Sequence, residues 1–493
     1  MKKGLLLILD GYGEAPKNKF NAVTNANTPY IDYLRKTYPT SLLYTHGRNV
    51  GLPDGAMGGS EVGHTTIGAG RIIKSSVVKI DDEILDGSFY KHKQFVEHLT
   101  KLKKNGGALH IGGLFSDKQI HSELRHAFAL IEMAKQYGIT RVFMHAFTDG
   151  RDCAPNSSFS YLEMFNDKVQ EIGLGEIATV GGRFYVMDRE NNLDRTSAHI
   201  DIMQKLQPDY DSALEALTVS HNNGITDEFV KPCRIKTVEE YTFNEHDLFI
   251  FFNYRADRMK QPVKMLNDKN IMHIITLYNF VEGDNISYIY PDEDITGTLS
   301  EYLSNLNLNQ LKISESTKYA HVTYFLNGGV EKPFKGEDRI HIETQKTLDY
   351  SKTPRMRAGE IAEATVNALN EGKHDAIIVN FSNPDMIGHT GNYDAVIEAL
   401  EFLDTCVKNV VETALKNDYF IIFTADHGNA EEMIDENGGP QTSHSLNPVI
   451  CIAIDKQQYN MVEYGGLKDI GPTFISLMRL PKNPKFEGES LIK

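Results

Sequence analysis

The run GLLLILD, residues 4–10, places an aspartate directly after six mostly apolar residues. Two later runs have the same form: AIIV (376–379) leads to NPDMIGH (383–389), and FIIF (420–423) leads to ADHGN (425–429). Bounded apolar runs of this length are typical of buried strands in an α/β sheet. Ligand sites in such sheets collect at the carboxyl ends of the strands. The three runs therefore predict one shared site, although more than 400 residues separate the first run from the last.

Length and composition indicate a folded protein of two domains. The chain has 493 residues, of which 41% are hydrophobic and 24% are charged, which excludes a disordered protein. A formal net charge of -16 disfavours nucleic acid and anionic membranes as partners. No run approaches 18 apolar residues, so no membrane span is expected. The four cysteines lie far apart and form no C-x-x-C pair, which favours a reducing cytoplasm over a disulfide framework or a zinc–thiolate site.

A second group of apolar runs lies in the middle of the chain, and these runs lead to arginine and aspartate residues. They begin near residues 108, 141, 177 and 248, and helical stretches such as 122–137 lie between them. Alternation of strand and helix predicts parallel βαβ units. We therefore predict two α/β domains, one inserted into the other. The outer domain would comprise residues 1–75 and 310–493 and the inserted domain residues 76–309, with hinges at the two crossings.

Aspartate and histidine residues cluster at the predicted strand ends of the outer domain. These two residue types bind Mn²⁺ and Zn²⁺ at mixed nitrogen and oxygen sites. Asp385 and His389 are four residues apart, so a helical turn would place them on one face. Each residue alone could be an ordinary polar residue, but their joint placement favours a metal site. The candidate ligands are Asp10, Asp385, His389, Asp426, His427 and, just before the apolar run 448–454, His444.

The glycine-rich stretch GAMGGSEVGH, residues 55–64, carries the candidate nucleophile. Ser60 follows two glycines and could begin a helix, whose N-terminus offers free N–H groups to a phosphate. The alternative is a plain turn in which Ser60 caps the helix. Beside a metal site, coordination would lower the pKa of the Ser60 hydroxyl. The combination predicts phosphoryl or sulfuryl transfer.

Arginine residues follow the predicted strands of the inserted domain. Arginine binds phosphate and carboxylate through a bidentate fork. In an acidic chain, five arginines at one sheet edge favour a small substrate with two anionic groups, and surface ion pairs are the alternative. Asp152 and His121 lie among them and could act as acid or base. The five are Arg151, Arg183, Arg189, Arg255 and Arg258.

Together these motifs resemble those of the cofactor-independent phosphoglycerate mutases, metalloenzymes of the alkaline phosphatase superfamily. The chain departs from the usual family pattern at Gly59, where asparagine is common, at Tyr12, where tryptophan is common, and in the loop 117–123 around His121. The resemblance spans the whole chain. It rests on LDGYG (9–13), MGGSEVGH (57–64), DGRD (149–152), GR (182–183) with MDR (187–189), FNYRADR (252–258), KYAHVT (318–323), NPDMIGHTG (383–391) and TADHGN (424–429).

The resemblance implies interconversion of 3-phosphoglycerate and 2-phosphoglycerate in glycolysis and gluconeogenesis, through a phosphoserine intermediate at Ser60. It implies two Mn²⁺ ions, or other divalent metals, and no 2,3-bisphosphoglycerate. One ion would be held by Asp385, His389 and His444, and the other by Asp10, Ser60, Asp426 and His427. Substrate would be bound by His121, Arg151, Asp152, Arg183, Arg189, Arg255, Arg258 and Lys318.

The resemblance also assigns roles within this set. Asp152 would carry protons to and from the glycerate hydroxyls, and Lys318 would assist phosphoryl transfer. The implied architecture is an alkaline-phosphatase-like metal domain, residues 1–75 and 310–493, with a substrate-binding phosphotransferase domain, residues 76–309, inserted into it.

Three alternative functions remain open on the sequence. A phosphomonoesterase or a phosphopentose mutase of the same superfamily would share the metal site but has less need of an arginine-rich second domain. A non-catalytic protein that binds metal and a phospho-metabolite would be expected to lack the nucleophile, yet Ser60 is present. We expect a small-molecule substrate, no nucleic-acid or membrane partner, a monomer, and a cytoplasmic location.

Overall fold

The structure is a computed structural model, and it describes residues 1–435 and 437–493. The chain forms two compact units. The first unit comprises Met1–Ser75 and Asp294–Lys493, and the second comprises Ser76–Glu293. Both units are built from strands that alternate with helices, so the α/β class is confirmed.

The strands are β1 (Lys3–Leu9), β2 (Thr40–Tyr44), β3 (Leu109–Phe115), β4 (Val142–Thr148), β5 (Glu176–Gly182), β6 (Cys233–Arg234), β7 (Leu248–Phe251), β8 (His273–Tyr278), β9 (Ile286–Tyr290), β10 (Gln310–Glu315), β11 (Glu337–Ile342), β12 (Ala376–Phe381), β13 (Tyr419–Thr424), β14 (Val449–Ile454) and β15 (Tyr464–Gly466).

The helices are α1 (Ala22–Asn25), α2 (Pro29–Thr37), α3 (Ser60–Ala69), α4 (Ser76–Asp86), α5 (Lys93–Asn105), α6 (Leu124–Gln136), α7 (Ser158–Ile172), α8 (Arg183–Val186), α9 (Leu193–Ile202), α10 (Ala213–Asn222), α11 (Lys260–Asp268), α12 (Leu299–Asn305), α13 (Ser316–Ala320), α14 (Ala358–Glu371), α15 (Asn383–Gly388), α16 (Tyr393–Lys416) and α17 (Ile470–Leu477).

The first unit is organised around an eight-stranded sheet in the order β11-β10-β12-β1-β13-β14-β2-β15. Its central strands are mostly apolar because both faces of the sheet are covered, and β12 and β13 are buried at every position. In β1, Leu9 is level with Phe381 of β12, and Ile8 is level with Thr424 of β13. This register brings the carboxyl ends of three strands, and the residues that follow them, to one edge.

Helix α16 shows how sequence positions the layer that covers this sheet. The side chain of Asn392 caps the helix by accepting a hydrogen bond from the backbone N–H of Ala395. Val396, Leu403 and Val410 recur at seven-residue spacing and are buried in the core. The helix therefore turns one apolar stripe toward the sheet and most of its charged residues toward solvent, while Asp404 is buried and accepts from the backbone N–H groups of Tyr30 and Ile31.

One end of this sheet is antiparallel. Strands β11, β10, β12, β1 and β13 run parallel, but β14 pairs antiparallel with both β13 and β2. A parallel neighbour would need a crossover connection, which is usually a helix. The described residues between β13 and β14, 425–435 and 437–448, contain no helix, so the chain returns in the opposite direction.

The second crossing between the units lies at Glu293–Asp294 and not at the expected position 309–310. Residues 294–309 belong to the first unit because they form α12 and enter its core. Thr298 caps α12 through its side chain, and Leu299 and Leu303 are fully buried in the core of the first unit. The apolar spacing of this helix predicts burial but does not identify which core receives it.

The second unit has a seven-stranded sheet in the order β6-β5-β4-β3-β7-β8-β9. All neighbouring pairs are parallel except β5 with the short strand β6. The carboxyl ends of β5, β4, β3 and β7 therefore lie side by side at one edge. No helix among the described residues combines the length and the hydrophobicity that crossing a bilayer requires.

Candidate active site

Four neighbouring strands of the first unit deliver the candidate metal and phosphate residues to one edge. Asp10 follows β1, Asp385 lies in α15 directly after β12, Asp426 follows β13, and Lys318 lies in α13 directly after β10. Each of these side chains is buried. His444, which lies before β14, and His389 are partly exposed and line an open cavity of about 510 Å³ with Ser60. The six candidate ligands predicted from sequence thus converge.

Ser60 is the first residue of α3, and Gly59 is its N-cap. The Ser60 hydroxyl oxygen lies 2.5 Å from Lys318 Nζ, 3.1 Å from Asp10 Oδ1 and 3.0 Å from His427 Nε2. Lys318 is the donor to this oxygen, so the Ser60 O–H is free to donate to the carboxylate of Asp10. The nucleophile predicted from sequence is therefore held between a cation, a carboxylate and an imidazole at a helix N-terminus.

One candidate metal group consists of Asp385, His389 and His444, whose ligand atoms lie within 4.8 Å of one another. Nδ1 of His389 lies 2.7 Å from the carbonyl oxygen of Thr442, and Nδ1 of His444 lies 2.7 Å from that of Gly58. A carbonyl oxygen only accepts, so both Nδ1 atoms carry hydrogen. Each Nε2 therefore presents its lone pair, and both lie 3.2 Å from Asp385 Oδ1. Converging lone pairs of this kind fit a divalent cation.

The second candidate group surrounds Ser60 and contains Asp10, Asp426 and His427. His427 Nε2 lies 3.4 Å from Asp10 Oδ1 and 3.7 Å from Asp426 Oδ2. Asp426 Oδ2 is buried and receives no hydrogen bond from the described residues. A buried carboxylate oxygen without a donor is costly unless a cation satisfies it. The residues present therefore fit a divalent metal at this position as well.

Electrostatics within the site favour charged groups despite burial. Burial alone would raise the pKa of Asp10, but the ammonium of Lys318 and the ring of His427 together outweigh it and hold that pKa well below its usual range. The same balance lowers the pKa of Asp385. Burial lowers the pKa of Lys318, whereas Asp10 and Asp385 raise it by a larger amount. The lysine therefore stays an ammonium at neutral pH and cannot accept a proton from Ser60.

The second unit gathers arginines around a cavity of about 290 Å³ at the carboxyl edge of its sheet. Four of the five predicted arginines line it, and they are Arg151, Arg183, Arg189 and Arg258. Arg183 Nη1 contacts Asp149 Oδ1 at 2.6 Å and Asp152 Oδ2 at 2.5 Å, so the guanidinium is fixed by two carboxylates. Arg258 donates to the carbonyl oxygen of Met187 at 3.0 Å.

Arg255 and His121 lie beside Asp257. Arg255 Nε is 3.1 Å from Asp257 Oδ1, and His121 Nδ1 is 3.8 Å from the same oxygen. His121 Nε2 is 3.8 Å from Asp152 Oδ2. Burial, reinforced by Arg183, lowers the pKa of His121 to about 4. The imidazole is therefore neutral at physiological pH and can donate one hydrogen bond and accept another.

Sequence reasoning missed several residues that contact the predicted ones. In the second unit, Glu228 pairs with Arg151 at 2.8 Å, Asp149 anchors Arg183, and Arg195 lines the arginine cavity. Asp149 and Asp257 stood inside quoted motifs and could have been selected as arginine partners. Glu228 follows no strand and carried no such signal. In the first unit the missed residues include His64, Asn380 and Asn429, whose side-chain amide donates to Asp385 Oδ1 at 2.9 Å.

Comparisons with known proteins match this chain over nearly its whole length. The model of the metalloenzyme superfamily matches residues 2–482. A 2,3-bisphosphoglycerate-independent phosphoglycerate mutase of Bacteroides thetaiotaomicron is 41% identical over 504 residues, covering 100% of both chains. A protein of the same name from Clostridium botulinum is 41% identical over 506 residues, covering 100% of this chain and 99% of its own.

A solved structure shares the fold over the whole chain. The phosphoglycerate mutase of Leishmania mexicana, determined at low cobalt concentration, has 29% sequence identity and a TM-score of 0.60, and the match covers 100% of this chain and 98% of that one. Identity of 41% over the full length of curated relatives, together with the superfamily match, decides the assignment. The chain belongs to the family of 2,3-bisphosphoglycerate-independent phosphoglycerate mutases.

Proposed function

We propose that this protein interconverts 3-phosphoglycerate and 2-phosphoglycerate without 2,3-bisphosphoglycerate, through a phosphoserine at Ser60. The observation that carries the proposal is the setting of the Ser60 hydroxyl, 2.5 Å from the Lys318 ammonium and 3.1 Å from the Asp10 carboxylate at the N-terminus of α3. The relatives that are 41% identical bear the name of this activity.

The first half-reaction transfers the phosphoryl group to the protein. The Ser60 hydroxyl passes its proton to the Asp10 carboxylate to which it donates, Ser60 Oγ attacks phosphorus, and the bond from phosphorus to the O3 atom of the substrate breaks. O3 takes a proton from Asp152, and the glycerate stays bound for the second transfer. Lys318 is a fixed cation, so it offsets negative charge on the transferring group and does not act as the base. The free N–H groups of the first turn of α3 favour the same charge.

Metal ligation completes this proposal. One ion would be held by Asp385, His389 and His444, and the other by Asp10, Ser60, Asp426 and His427, whose mutual contacts are described above. Two divalent ions bound there would lower the pKa of the Ser60 hydroxyl and offset charge on the phosphoryl oxygens. We propose Mn²⁺ for both positions, because the mixed set of carboxylate and imidazole donors suits that ion. A divalent metal requirement as such follows from membership of a metalloenzyme superfamily.

The arginines of the second unit would bind the anionic groups of the phosphoglycerate. Arg151, Arg183, Arg189 and Arg258 line one small cavity, and bidentate guanidinium groups suit carboxylate and phosphate oxygens. Arg255 and the neutral imidazole of His121 would add hydrogen bonds to the glycerate.

The second half-reaction returns the phosphoryl group to the other hydroxyl of the same glycerate. The O2 atom attacks the phosphoserine, the bond from phosphorus to Ser60 Oγ breaks, Ser60 Oγ takes back its proton from Asp10, and 2-phosphoglycerate leaves. Asp152 would take the proton from O2, having given one to O3, so the net reaction consumes nothing. Its Oδ2 is held by Arg183 at 2.5 Å and lies 3.8 Å from His121, which fixes the carboxylate among the substrate-binding groups.

We also propose that the protein acts as a monomer in the cytoplasm. Each cluster described above is built from residues of a single chain, so neither needs a second subunit to supply a side chain. The four cysteines are free thiols, as is usual in a reducing compartment. Sedimentation of the purified protein tests the monomer, and imaging of a fluorescent fusion tests the location.

An enolase-coupled assay tests the function. Protein supplied with 3-phosphoglycerate and Mn²⁺, but no 2,3-bisphosphoglycerate, should generate 2-phosphoglycerate, and a chelator should stop it. Release of inorganic phosphate without 2-phosphoglycerate would instead establish a phosphomonoesterase. Turnover of a phosphopentose with no turnover of phosphoglycerate would establish a phosphopentose mutase.

A further inference from the structure

His64 lies one helical turn after Ser60 in α3, is fully buried, and has no part in the mechanism above. Its ligand atoms lie within 4.8 Å of those of Asp10 and Asp426, so these three residues could in principle hold a metal ion. Its ring packs against that of His321, with 5.5 Å between the ring centres. The hydrogen bonds of His64 decide between a metal ligand and another role.

Neither nitrogen of His64 has a lone pair to offer. Nδ1 lies 2.8 Å from the carbonyl oxygen of Ser60, and a carbonyl oxygen only accepts, so Nδ1 carries the hydrogen. Nε2 lies 3.1 Å from Nδ2 of Asn380, which is a donor, so the lone pair of Nε2 accepts this hydrogen bond. His389 and His444 also direct Nδ1 at a carbonyl oxygen, but their Nε2 atoms face carboxylate and imidazole and stay free.

The orientation of the Asn380 amide is fixed by its other contact. Nδ2 lies 2.8 Å from Asp10 Oδ2, and the opposite orientation would set the amide oxygen against a carboxylate oxygen. Asn380 therefore gives one hydrogen to Asp10 and the other to His64. His64 in turn donates to the Ser60 carbonyl, and its Nδ1 also lies 3.2 Å from Asp426 Oδ2. Hydrogen bonds therefore link Asp10 through Asn380 and His64 to the first turn of α3, and the His64 ring also lies against Asp426 without a hydrogen bond to it.

We propose that His64 and Asn380 are positioning residues that hold Asp10, Asp426 and the backbone of Ser60 in the arrangement that metal binding and serine attack require. The pair orients ligands and does not itself bind metal. This inference rests on the proposed function for the role of Ser60. Hydrogen-bond partners of metal ligands typically change metal affinity by 10- to 100-fold when they are removed.

The test is a calorimetric titration of Mn²⁺ into metal-stripped protein. Wild type should bind two ions. His64→Leu and Asn380→Ala should weaken the ion held by Asp10 and Asp426 by roughly 10- to 100-fold, and should leave the ion held by Asp385, His389 and His444 unchanged. In the coupled assay kcat should fall while KM for 3-phosphoglycerate changes little, because the arginines that bind substrate are untouched. The side-chain amide of His64→Asn can reproduce the Nδ1 donor, so this variant should recover part of both losses.

A second buried histidine of the same unit provides the matched control. His374 is 4% exposed, and its Nε2 lies 2.8 Å from Asp338, outside the metal region. His374→Asn should bind both ions as wild type does. If thermal unfolding shows that His64→Leu is folded, and the variant binds both ions with wild-type affinity, the positioning role is wrong. If wild type binds three ions and His64→Leu two, His64 is a ligand and the inference is also wrong. Absence of mutase activity in wild type that binds two ions would instead contradict the proposed function alone.

Discussion

The Nε2 atoms of His389 and His444 lie 3.1 Å apart, and the Nδ1 atom of each ring lies 2.7 Å from a backbone carbonyl oxygen. Each Nδ1 therefore carries the hydrogen, and two lone pairs face each other beside the carboxylate of Asp385. Such an arrangement is repulsive for neutral rings, and either protons or a metal ion can relieve it. The competition between protons and metal leads to the first prediction.

Metal uptake by the stripped protein should release protons. Burial lowers the pKa of His427, but Asp426, Asp10 and Asp385 outweigh it and raise that pKa to about 9. A raised pKa means that the protonated ring predominates in the metal-free protein at neutral pH, so an ion must displace a proton. Apparent Mn²⁺ affinity should therefore rise with pH up to about 9, and activity should fall below about pH 7. Calorimetry in two buffers of different ionisation heat measures the released protons, and a pH-independent affinity would contradict the site.

Ser60→Ala should abolish mutase activity and any phosphatase activity, because no other hydroxyl lies between Lys318 and Asp10 among the described contacts of these residues. The variant should still bind at least the ion held by Asp385, His389 and His444. Wild type trapped with substrate, digested and mapped by mass spectrometry should carry phosphate on Ser60. Phosphate recovered only on a histidine would refute the mechanism.

Much of the candidate metal site of the first unit could be predicted from local sequence alone. The aspartates at the ends of β1 and β13 and the pair Asp385–His389 were identified because an apolar run that stops at a ligand type needs no knowledge of distant residues. Parallel pairing then brings those ends together whatever the loops do. The start of α3 at Ser60 was also predictable from local sequence, since glycines followed by serine favour a helix start.

The remaining features depend on contacts between distant segments. Asn380 is the fifth residue of β12, and only the pairing of β12 with β1 directs its amide toward Asp10. The antiparallel course of β14 and the burial of Leu299 in the first core likewise depend on which surfaces meet. Apolar periodicity predicts that a residue is buried, but it does not identify the residues that it packs against.

Gly58 and Gly59 are adjacent in sequence, but only the structure shows which distant residues each one approaches. This difference leads to a prediction. A Cβ atom on Gly58 would lie 1.9 Å from the carbonyl oxygen of Thr45, whereas one on Gly59 would lie 3.5 Å from His444. Gly58→Ala should therefore destabilise the protein by about 1–3 kcal/mol and reduce activity, because backbone must move. Gly59→Ala should change stability by less than about 1 kcal/mol, in keeping with the asparagine common in the family. Urea unfolding of both variants tests this, and equal effects would contradict it.

His199 should make the second unit sensitive to acid. It is fully buried, and neither ring nitrogen has a hydrogen-bond partner among the described residues. Burial lowers the pKa of His199 to about 3, so the folded protein keeps this ring neutral while the unfolded chain takes up a proton below about pH 6.5. Stability is therefore lost as pH falls from about 6.5 toward 3, by about 1.4 kcal/mol per pH unit for this group. His199→Leu should flatten this slope in urea unfolding of wild type and variant at several pH values, and an unchanged slope would contradict it.

Arg258→Ala should separate mutase from phosphatase activity. Arg258 lines the arginine cavity, and its guanidinium donates to the carbonyl oxygen of Met187 at 3.0 Å, which leaves its other N–H groups for an anion. Loss of one charged hydrogen-bond donor costs about 1.5–3 kcal/mol, or roughly 10- to 100-fold in kcat/KM for 2-phosphoglycerate formation. Glycerate that is held less firmly leaves before the second transfer, and water then hydrolyses the phosphoserine. The ratio of free phosphate to 2-phosphoglycerate should therefore rise while Mn²⁺ affinity stays unchanged.

Arg141, which pairs with Glu239 beside the amino end of β4, provides the matched control, since Arg141→Ala should leave the ratio of free phosphate to 2-phosphoglycerate unchanged. If Arg258→Ala has mutase activity near wild type and an unchanged ratio of free phosphate to 2-phosphoglycerate, this arginine does not hold the glycerate between the two transfers.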